Sequence, residues 1–337
     1  MIETNKTRQE LLYEYMHLRY PAVAVKLIEN DESIVPADAL RPKEHGNYHL
    51  GLCQAFAITR RENKAVYMRR EDHWCWSPLI CFGMVPWERD TPGFNSVADR
   101  IEIADPEKGK AFLENLPRVP MNKYKGILSV PLDKADFEPD VTLVYCKNHQ
   151  LLKALLAIKS QTGVPTENMF TPLDSCIFSI IPPMQDGNYR VTVPDPGELA
   201  RALTPEDDII LTIPAQRDEE FYKGVQFWLD LGARGNFNPI VKEDFQRPAF
   251  YNFLFQEWGL DTDKQYLQKN TGRSRMVPTG FSCFRMPVNH CDAGGEVPYS
   301  SPRPIHSKLM SSPVSDLSSC QVNDPSSLKV TVPVPSL

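Results

Sequence analysis

Two short apolar segments, each followed closely by a helical pattern, constrain the fold of this chain more than any other feature. The segment LVYC, which ends at Cys146, precedes an apolar-periodic stretch from Gln150 to Ser160. The segment IILTI, from Ile209 to Ile213, precedes a similar stretch from Glu219 to Leu231. Apolar runs of this length are typical of strands that are buried on both faces. They predict an α/β fold in which helices cover a mixed or parallel sheet.

The remaining predicted elements repeat this order of strands and helices. Helices are predicted over 7–18 and 52–61, and strands over 22–28, 65–68, 126–131, 141–145 and 189–193. Two strands and a helix thus occur between 126 and 160, and again between 189 and 231. The repetition indicates either two similar α/β halves or a single mixed sheet covered by helices.

The composition divides the chain into three regions. We expect a Cys- and aromatic-rich α+β region over 1–120, an α/β region over 121–262, and a disordered tail over 263–337. From Thr271 onward the sequence holds 9 of the 30 prolines and many serines, and it shows no periodicity. Segments of this kind bury too little apolar surface to offset the entropy of ordering.

The tail also holds three residues spaced loosely like zinc ligands, which are Cys283, His290 and Cys291. A structural zinc site needs a second pair of ligands and a fold around them. Neither accompanies these residues, so we do not expect a metal site in the tail.

The charge and apolar patterning exclude two classes of partner. The net charge of -6 is spread without long like-charge blocks, which argues against nucleic acid as a partner. No apolar run approaches the roughly 18 to 20 residues of a spanning helix, and the first residues lack a signal-peptide core. We therefore expect a cytoplasmic protein, whose association with the inner face of the cell membrane, if any, is peripheral. Assembly into a homo-oligomer stays open.

The eight cysteines are better interpreted as thiols or metal ligands than as a disulfide framework, because a secretion signal is missing. Cys53, Cys75 and Cys81 lie within one segment from Gly51 to Pro86. Thiolates are soft ligands for iron–sulfur clusters, zinc or copper, and they are nucleophiles when a nearby cation lowers their pKa. The spacing matches no strong metal motif, and a buried core thiol is the competing interpretation for Cys81.

Aromatic residues accompany these cysteines. Trp74, Trp76, Phe82 and Trp87 could line a flat pocket for an aromatic substrate or a planar cofactor, or they could pack the core. His73 could act as a general acid near a phenolic oxygen or as a cofactor ligand, although a lone histidine is more often only a buried polar residue.

Several familiar motifs are missing from the sequence. It contains no G-x-G-x-x-G after a strand, no Walker A loop and no G-x-S-x-G elbow, so NAD, ATP and ordinary α/β-hydrolase sites lose support. Cys146 lies at the end of a strand, where open α/β sheets bind ligands. Asp174 and Ser175 precede Cys176 in a similar polar group, which a capped helix start explains equally well.

Five features occur in a fixed order along the chain: the segment PAVAVKL, Cys53-x-Ala55, Cys81-x-Gly83, the buried strand before Gln150, and Cys176. In this order the chain resembles the DUF169 family of archaea and anaerobic bacteria over roughly residues 8 to 245. It departs from that family after Cys176, where IFSIIPPMQDGNYR replaces a Gly-rich stretch.

Within that family the chain resembles the CrdA-type chlorophenol reductive dehalogenases. The resemblance implies removal of chloride from a phenol such as 2,4,6-trichlorophenol, a corrinoid cofactor and an external electron donor. The sequence itself lacks the corrinoid motif D-x-H-x-x-G and paired iron–sulfur motifs. On the resemblance and the residues together, we predict His73 and Cys75 as catalytic and Cys53, Cys81, Trp74, Trp76 and Cys146 as cofactor-binding, with the three clustered cysteines as candidate metal ligands.

Two other functions stay open. A non-catalytic protein could use the same cysteines and aromatics to bind a metal, a corrinoid or a small aromatic ligand. A cysteine-dependent hydrolase could use Cys53 or Cys75 as nucleophile and His73 as base.

Overall fold

A computed structural model describes residues 6–101, 103–233 and 249–259 of the chain. Six strands form its sheet, namely β1 (Val23–Ile28), β2 (Val66–Arg69), β3 (Gly126–Pro131), β4 (Val141–Cys146), β5 (Arg190–Thr192) and β6 (Ile209–Pro214). The first six helices are α1 (Arg8–Met16), α2 (Pro42–Gly46), α3 (Leu52–Glu62), α4 (Trp76–Cys81), α5 (Pro92–Ala98) and α6 (Pro106–Glu114). The others are α7 (Asn148–Thr162), α8 (Ser175–Phe178), α9 (Ile181–Asp186), α10 (Pro196–Arg201), α11 (Asp218–Asp230) and α12 (Ala249–Glu257).

Local chemistry explains where several helices begin and end. Thr7 caps α1 through a capping box with Glu10, in which each side chain bonds the other residue's backbone N–H. Asp105 caps α6 by accepting bonds from the first-turn amides, and a proline follows it at the first helical position. The helix α7 ends at Gly163, whose φ of 71° is in the left-handed region that glycine adopts without strain.

The six strands form one sheet in the order β2-β3-β1-β4-β6-β5. This order contains the same arrangement twice, because β3 lies between β2 and β1 just as β6 lies between β5 and β4. The registers agree as well: Val23 at the start of β1 pairs with Pro131, and Val141 at the start of β4 pairs with Pro214. The strands β1–β3 and β4–β6 are therefore two halves of like topology, which meet where β1 pairs antiparallel with β4.

Helices cover both faces of the sheet. Along β1 the side chains of Val23 and Val25 enter one core, whereas Ala24 enters another, as expected when successive residues point to opposite faces. The first face is covered by α3, α4, α5, α6, α8 and α9. The second face is covered by α1, α7 and α11, and α7 packs closely against α11. Each central strand is thus buried on both sides.

The predicted α/β class, with helices covering one sheet, is confirmed. The bounds of the halves differ from the predicted repeat, since each half consists of three strands and the first begins at β1. The named strands pair only antiparallel, and parallel pairing is confined to isolated bridges of Leu40 with Val66 and of Leu50 with His73. Helices cover both faces of this antiparallel sheet, so β4 and β6 are buried on both sides. Their apolar sequences therefore do not show whether neighbouring strands run parallel or antiparallel.

Other predictions fall partly outside this structure. The tail over 263–337 and its residues Cys283, His290 and Cys291 lie outside the described residues. Strands from both predicted regions, 1–120 and 121–262, contribute to the one sheet. Within the described part of the chain, every helix is too short or too polar to cross a membrane.

Candidate functional site

Three thiols come together on the first face of the sheet. Cys53 is the second residue of α3, Cys176 is the second residue of α8, and Cys75 is the residue that caps α4. The helix α8 packs against α4, and α3 packs against α10. Cys53 and Cys75 both raise the pKa of Cys176 electrostatically, which requires that the groups be near one another. We refer to Cys53, Cys75 and Cys176 as the thiol cluster.

The thiols of the cluster are protonated at neutral pH. Burial raises the pKa of Cys53 to about 12, and the carboxylates of Glu198 and Asp195 add to this shift. Burial raises the pKa of Cys176 well above its usual value, and Asp195 adds to it. Burial also raises the pKa of Cys75, although a hydrogen bond with Ser77 opposes the shift. Because the thiolate is the nucleophilic form, these cysteines are not activated as nucleophiles.

Asp174 provides a carboxyl group beside the cluster. Its backbone has φ 57° and ψ 43°, a left-handed conformation that non-glycine residues adopt at a cost. Although it occupies the capping position of α8, its side chain makes no capping hydrogen bond. Burial raises its pKa to about 6, a hydrogen bond with Ser77 opposes the shift, and its enclosed Oδ2 has no hydrogen-bond partner among the described residues. Asp174 also raises the pKa of Cys75 and Cys176, which places it near both thiols.

A pair of carboxyl groups near the cluster shares one hydroxyl. Ser175 Oγ is 3.0 Å from Asp195 Oδ2 and 2.7 Å from Glu198 Oε2. A hydroxyl has one proton to donate, so two hydrogen bonds here require that one carboxyl group be protonated. Burial raises the pKa of Glu198, whereas hydrogen bonds from Tyr145 and Ser175 lower it. Glu198 is 1% exposed, so burial favours the neutral form of its carboxyl group.

This pair is connected to the surface by a buried polar network. Arg60 is 1% exposed, and its guanidinium lies 3.8 Å from the ring centroid of Tyr145. Its Nη2 donates to Thr204 Oγ1 at 2.8 Å, and its Nη1 lies 3.5 Å from Asp208 Oδ2. Lys147 Nζ pairs with Asp208 Oδ1 at 2.7 Å at the protein surface. Tyr145, whose ring lies against the Arg60 guanidinium, donates to Glu198 Oε1 at 2.5 Å. The network therefore joins Arg60 to the carboxyl pair near the thiol cluster.

Trp74 forms the exposed edge of the site. A Cβ atom on Gly51 would lie 3.1 Å from the Trp74 ring and 3.5 Å from Cys53 Sγ, so the absence of a side chain lets the ring lie beside the thiol. The indole Nε1 donates to Gln54 Oε1 at 2.9 Å, and the Arg201 guanidinium is 5.4 Å from the ring centroid. With 47% of its surface exposed, Trp74 presents an aromatic face to solvent next to the cluster.

Three other predicted site residues belong to the hydrophobic cores or pack against them. Trp76 stacks on Trp87 at 6.4 Å between ring centroids and packs against the core of the first face. Cys81 is fully buried in that same core, although Asp174 and Cys75 still raise its pKa. Cys146 is buried in the core of the second face, across the sheet from the thiol cluster.

His73 is buried without a polar partner. It is 5% exposed, and neither ring nitrogen has a hydrogen-bond partner in the described part of the structure. Burial lowers its pKa to about 4, so the imidazole is neutral at pH 7. It follows that His73 is neither an imidazolium acid nor hydrogen-bonded to a thiol as a base.

Four residues of the site are not among the predicted site residues, which are Asp174, Cys176, Asp195 and Glu198. The sequence shows Asp174 and Cys176 as one polar and thiol group, but 122 residues separate Cys53 from Cys176, so the sequence alone does not show that they are close. Glu198 follows Asp195 in the pattern DPGE, which resembles an ordinary helix start, and Asp195 does cap α10. Its other carboxylate oxygen accepts bonds from Ser175, which the pattern alone does not show.

Among the described residues, no three His, Cys, Asp or Glu side chains are grouped so that they could hold a metal ion. The described chain therefore shows neither a thiolate set for an iron–sulfur cluster nor a zinc site. The prediction of Cys53, Cys75 and Cys81 as metal ligands gains no support from this geometry.

Comparison with known proteins gives one match. The model of the DUF169 family, described as uncharacterised ArCR, matches residues 11–224. No curated protein and no solved structure matches the chain.

Proposed function

The chain belongs to the DUF169 family, and from its site we propose that it is a reductive enzyme of an anaerobe that removes chloride from a chlorinated phenol. The family description names no activity, so the proposal depends on the site and on the resemblance to chlorophenol reductive dehalogenases. The observation that carries it is the grouping of three protonated thiols beside Asp174, a carboxyl group whose pKa is raised to about 6.

The reaction requires two electrons and two protons for each chloride removed. A carbon–chlorine bond breaks, a carbon–hydrogen bond forms, and chloride leaves with the second proton. Asp174 fits the role of proton donor, because a general acid works best when its pKa lies near the working pH. The exposed face of Trp74, beside Cys53, offers a surface on which a flat chlorinated ring can stack. An external low-potential donor supplies the electrons for continued turnover.

His73 and Cys75, the predicted catalytic residues, take different parts in this proposal. Cys75 belongs to the thiol cluster, and its Sγ lies 3.6 Å from Ser77 Oγ. His73 is neutral and enclosed, which suits a ligand to a cofactor better than a proton donor. The cysteine-hydrolase alternative is less well supported, since the described residues contain no Cys–His hydrogen bond and the thiols are protonated.

The resemblance also implies a corrinoid cofactor, and one of the same residues bears on it. His73, a neutral imidazole whose enclosed nitrogens have no hydrogen-bond partner among the described residues, would be the residue to hold the cobalt of a corrinoid. A corrinoid, when bound, supplies a strongly reducing metal centre. In that case His73 holds the group, while Asp174 holds the proton and Trp74 orients the ring. His73 also favours the second candidate function, a non-catalytic corrinoid-binding protein.

The experiment is an anaerobic assay of the full-length protein, preceded by an ultraviolet–visible spectrum and analysis of cobalt and iron. Titanium(III) citrate serves as electron donor and 2,4,6-trichlorophenol as substrate, with release of chloride and dichlorophenol as the readout. We expect turnover by the native protein and a loss of at least about tenfold in Cys53→Ala, Cys75→Ser and Asp174→Asn.

Cys146→Ala is the matched control, because the structure places this thiol, predicted from the sequence to bind the cofactor, in the core on the opposite face of the sheet from the thiol cluster. It should retain the native rate. Native rates in both cluster variants would refute the proposed site. A cobalt-containing protein that binds trichlorophenol without releasing chloride would favour the binding protein instead.

A further inference from the structure

A surface cleft of about 320 Å³ lies beside the end of β2 and the start of β3. It is lined by residues of two segments, 69–71 at the end of β2 and 122–125 before β3, and by Glu32 and Met84. None of these residues belongs to the thiol cluster or to the polar groups around it. Cavities of this volume are at the lower end of those that bind small ligands in proteins, so the cleft has room for one small molecule.

Backbone contacts hold the segment 122–125 in place. Asn122 has a left-handed backbone with φ 55°, and its N–H donates to the carbonyl of Gly83 at 2.9 Å. The N–H of Lys125 donates to the carbonyl of Ile28, at the end of β1, at 2.7 Å. Met84, which follows Gly83, is 5% exposed and belongs to the core of the first face. The cleft is therefore built on the sheet and the core beneath it.

The antiparallel register brings two cations to the same end of the sheet. Arg69 of β2 pairs with Gly126 of β3, which is the last pair of this ladder. The next residues outward on the two segments are Arg70 and Lys125, and both are exposed. Like charges at facing positions repel each other and lower stability. Within the described residues, the side chains of Arg70 and Lys125 have no hydrogen-bond or ion-pair partner, so nothing there offsets this repulsion.

The other charged groups of the cleft already have partners. Glu32 accepts a hydrogen bond from the hydroxyl of Tyr67 at 3.1 Å. Arg69 pairs with Glu44, and its Nε lies 3.3 Å from Glu71 Oε1. The lining thus holds three cations and two carboxylates in a chain whose net charge is -6. The two charges left without a partner in the described part of the chain are both positive.

We propose that this cleft binds a phosphate dianion, either free or as a monoester of a small molecule, between Arg70 and Lys125. A phosphate group carries a charge of roughly -1.5 to -2 at pH 7 and has several acceptor oxygens, so it matches two cations better than a carboxylate does. The Asn122 amide is a further donor in the lining. So is the enclosed Nε of Arg69, which makes no hydrogen bond among the described residues. This site does not depend on the reaction proposed above.

The test is isothermal titration calorimetry of the full-length protein at neutral pH, in a phosphate-free buffer of constant ionic strength. Inorganic phosphate and glycerol 3-phosphate are the dianionic probes, and acetate is the monoanionic control. We expect saturable binding of a phosphate probe with a Kd of about 10 mM or tighter, and weaker binding of acetate. Tighter binding of glycerol 3-phosphate would identify a monoester as the ligand class. Equal or tighter binding of inorganic phosphate would identify the free ion.

Charge-neutral variants test the residues assigned to the site. Arg70→Gln and Lys125→Gln should each weaken phosphate binding by about tenfold, because each removes a charged donor. Glu71→Gln should instead tighten binding by about twofold, because it removes a negative charge from the lining. Lys159→Gln is the matched control, since it removes the same charge from an exposed position of α7, which covers the other face of the sheet. It should keep the native Kd.

Thermal unfolding checks that the variants fold and gives a second readout. Without phosphate, Arg70→Gln and Lys125→Gln should unfold at no lower temperature than the native protein, because each removes one of two like charges. Phosphate should raise the unfolding midpoint of the native protein and of Lys159→Gln more than that of these two variants, since a bound ligand stabilises the folded state. If either of the two is destabilised, Glu71→Gln decides: tighter binding supports the site, and unchanged or weaker binding refutes it.

Three results would overturn the site. The first is the absence of saturable binding of both phosphate probes up to about 10 mM. The second is an equal loss of affinity in Lys159→Gln and Lys125→Gln, because binding would then follow the charge of the whole protein. The third is binding of acetate as tight as that of phosphate, because the cleft would then not select a dianion.

Discussion

Ser129 and Thr212 are matched hydroxyl residues of the two halves, and both are buried at the centre of their strands. Ser129 pairs with Val66 at the start of β2, and Thr212 pairs with Arg190 at the start of β5. Each hydroxyl bonds a helix of the first face: Ser129 meets the hydroxyl of Thr59 in α3 at 2.8 Å, and Thr212 donates to a backbone carbonyl just after α8 at 2.8 Å. The correspondence of the halves thus extends from topology to single side chains.

The first prediction uses this pair. Ser129→Ala and Thr212→Val should each lower the free energy of unfolding by about 1 to 2 kcal/mol, because each leaves a buried polar partner less satisfied. Urea denaturation followed by circular dichroism measures the change. Ser96→Ala, at an exposed position of α5, should stay within about 0.5 kcal/mol of the native protein. A fully neutral result at both buried positions would contradict the structural role given to these hydroxyls.

The second prediction concerns Asp174 and stability at different pH. Its pKa is raised to about 6 in the folded protein from an ordinary value of 3.8. The folded state therefore binds the proton more tightly than the unfolded state, and Asp174 makes stability fall as pH rises from about 4 to 6. The shift corresponds to at most about 3 kcal/mol, and to less because the residue is partly exposed. Asp174→Asn should be more stable than the native protein above pH 6, by urea denaturation, and the gain should shrink towards pH 4.

The third prediction concerns His73, whose effect has the opposite sign. Burial lowers its pKa to about 4 from 6.5, so the unfolded state binds its proton more tightly. His73 therefore makes stability rise with pH between about 4 and 6.5, which partly cancels the effect of Asp174. The Asp174→Asn variant should show only the rise in stability with pH that His73 causes. In the His73→Gln variant, stability should instead fall as pH increases from 4 to 6. Parallel pH profiles for the native protein and both variants would contradict these shifts.

The elements of the fold were largely predictable, because each carries its own local pattern. The helix predicted over 52–61 is α3, Leu52–Glu62, and the strand predicted over 126–131 is β3 without change. The direction and neighbours of the strands were not predictable in the same way. They depend on pairing between distant segments, and a strand such as β4, with helices on both sides, is apolar whichever way its neighbours run.

The site was predictable only in part, for the same physical reason. Cys53 and Cys75 lie in one short segment that is rich in cysteine and tryptophan, so the sequence alone predicts them as site residues. Cys176 joins them through the packing of α8 against α4, a contact between halves that local periodicity does not encode. A helix cap explains Asp174 in the sequence, whereas the structure shows a left-handed backbone and no capping hydrogen bond at this residue.

A fourth prediction tests the packing of α7 against α11 on the second face. A Cβ atom on Gly224 would lie 2.2 Å from the carbonyl oxygen of Ala157, which is backbone and cannot move aside. Gly224→Ala should therefore lower the free energy of unfolding by about 1 to 3 kcal/mol. Gly93→Ala is the matched control in α5, where an added Cβ meets nothing within 4 Å. It should be neutral or stabilising by up to about 1 kcal/mol, so equal losses in both variants would contradict the close helix crossing.

The last prediction concerns the proton shared by Ser175, Asp195 and Glu198. Since one hydroxyl cannot donate to two carboxylates at once, Glu198 should remain a neutral carboxylic acid at pH 7, held by the hydroxyls of Ser175 and Tyr145. Infrared difference spectra of native protein against Glu198→Gln should then show the C=O stretch of a protonated carboxyl group. Tyr145→Phe should shift that band, because it removes the O–H group that donates to Glu198 Oε1 at 2.5 Å. Carboxylate bands alone would show that the proton lies elsewhere, and the hydrogen bonds around Ser175 would then have to be reassigned.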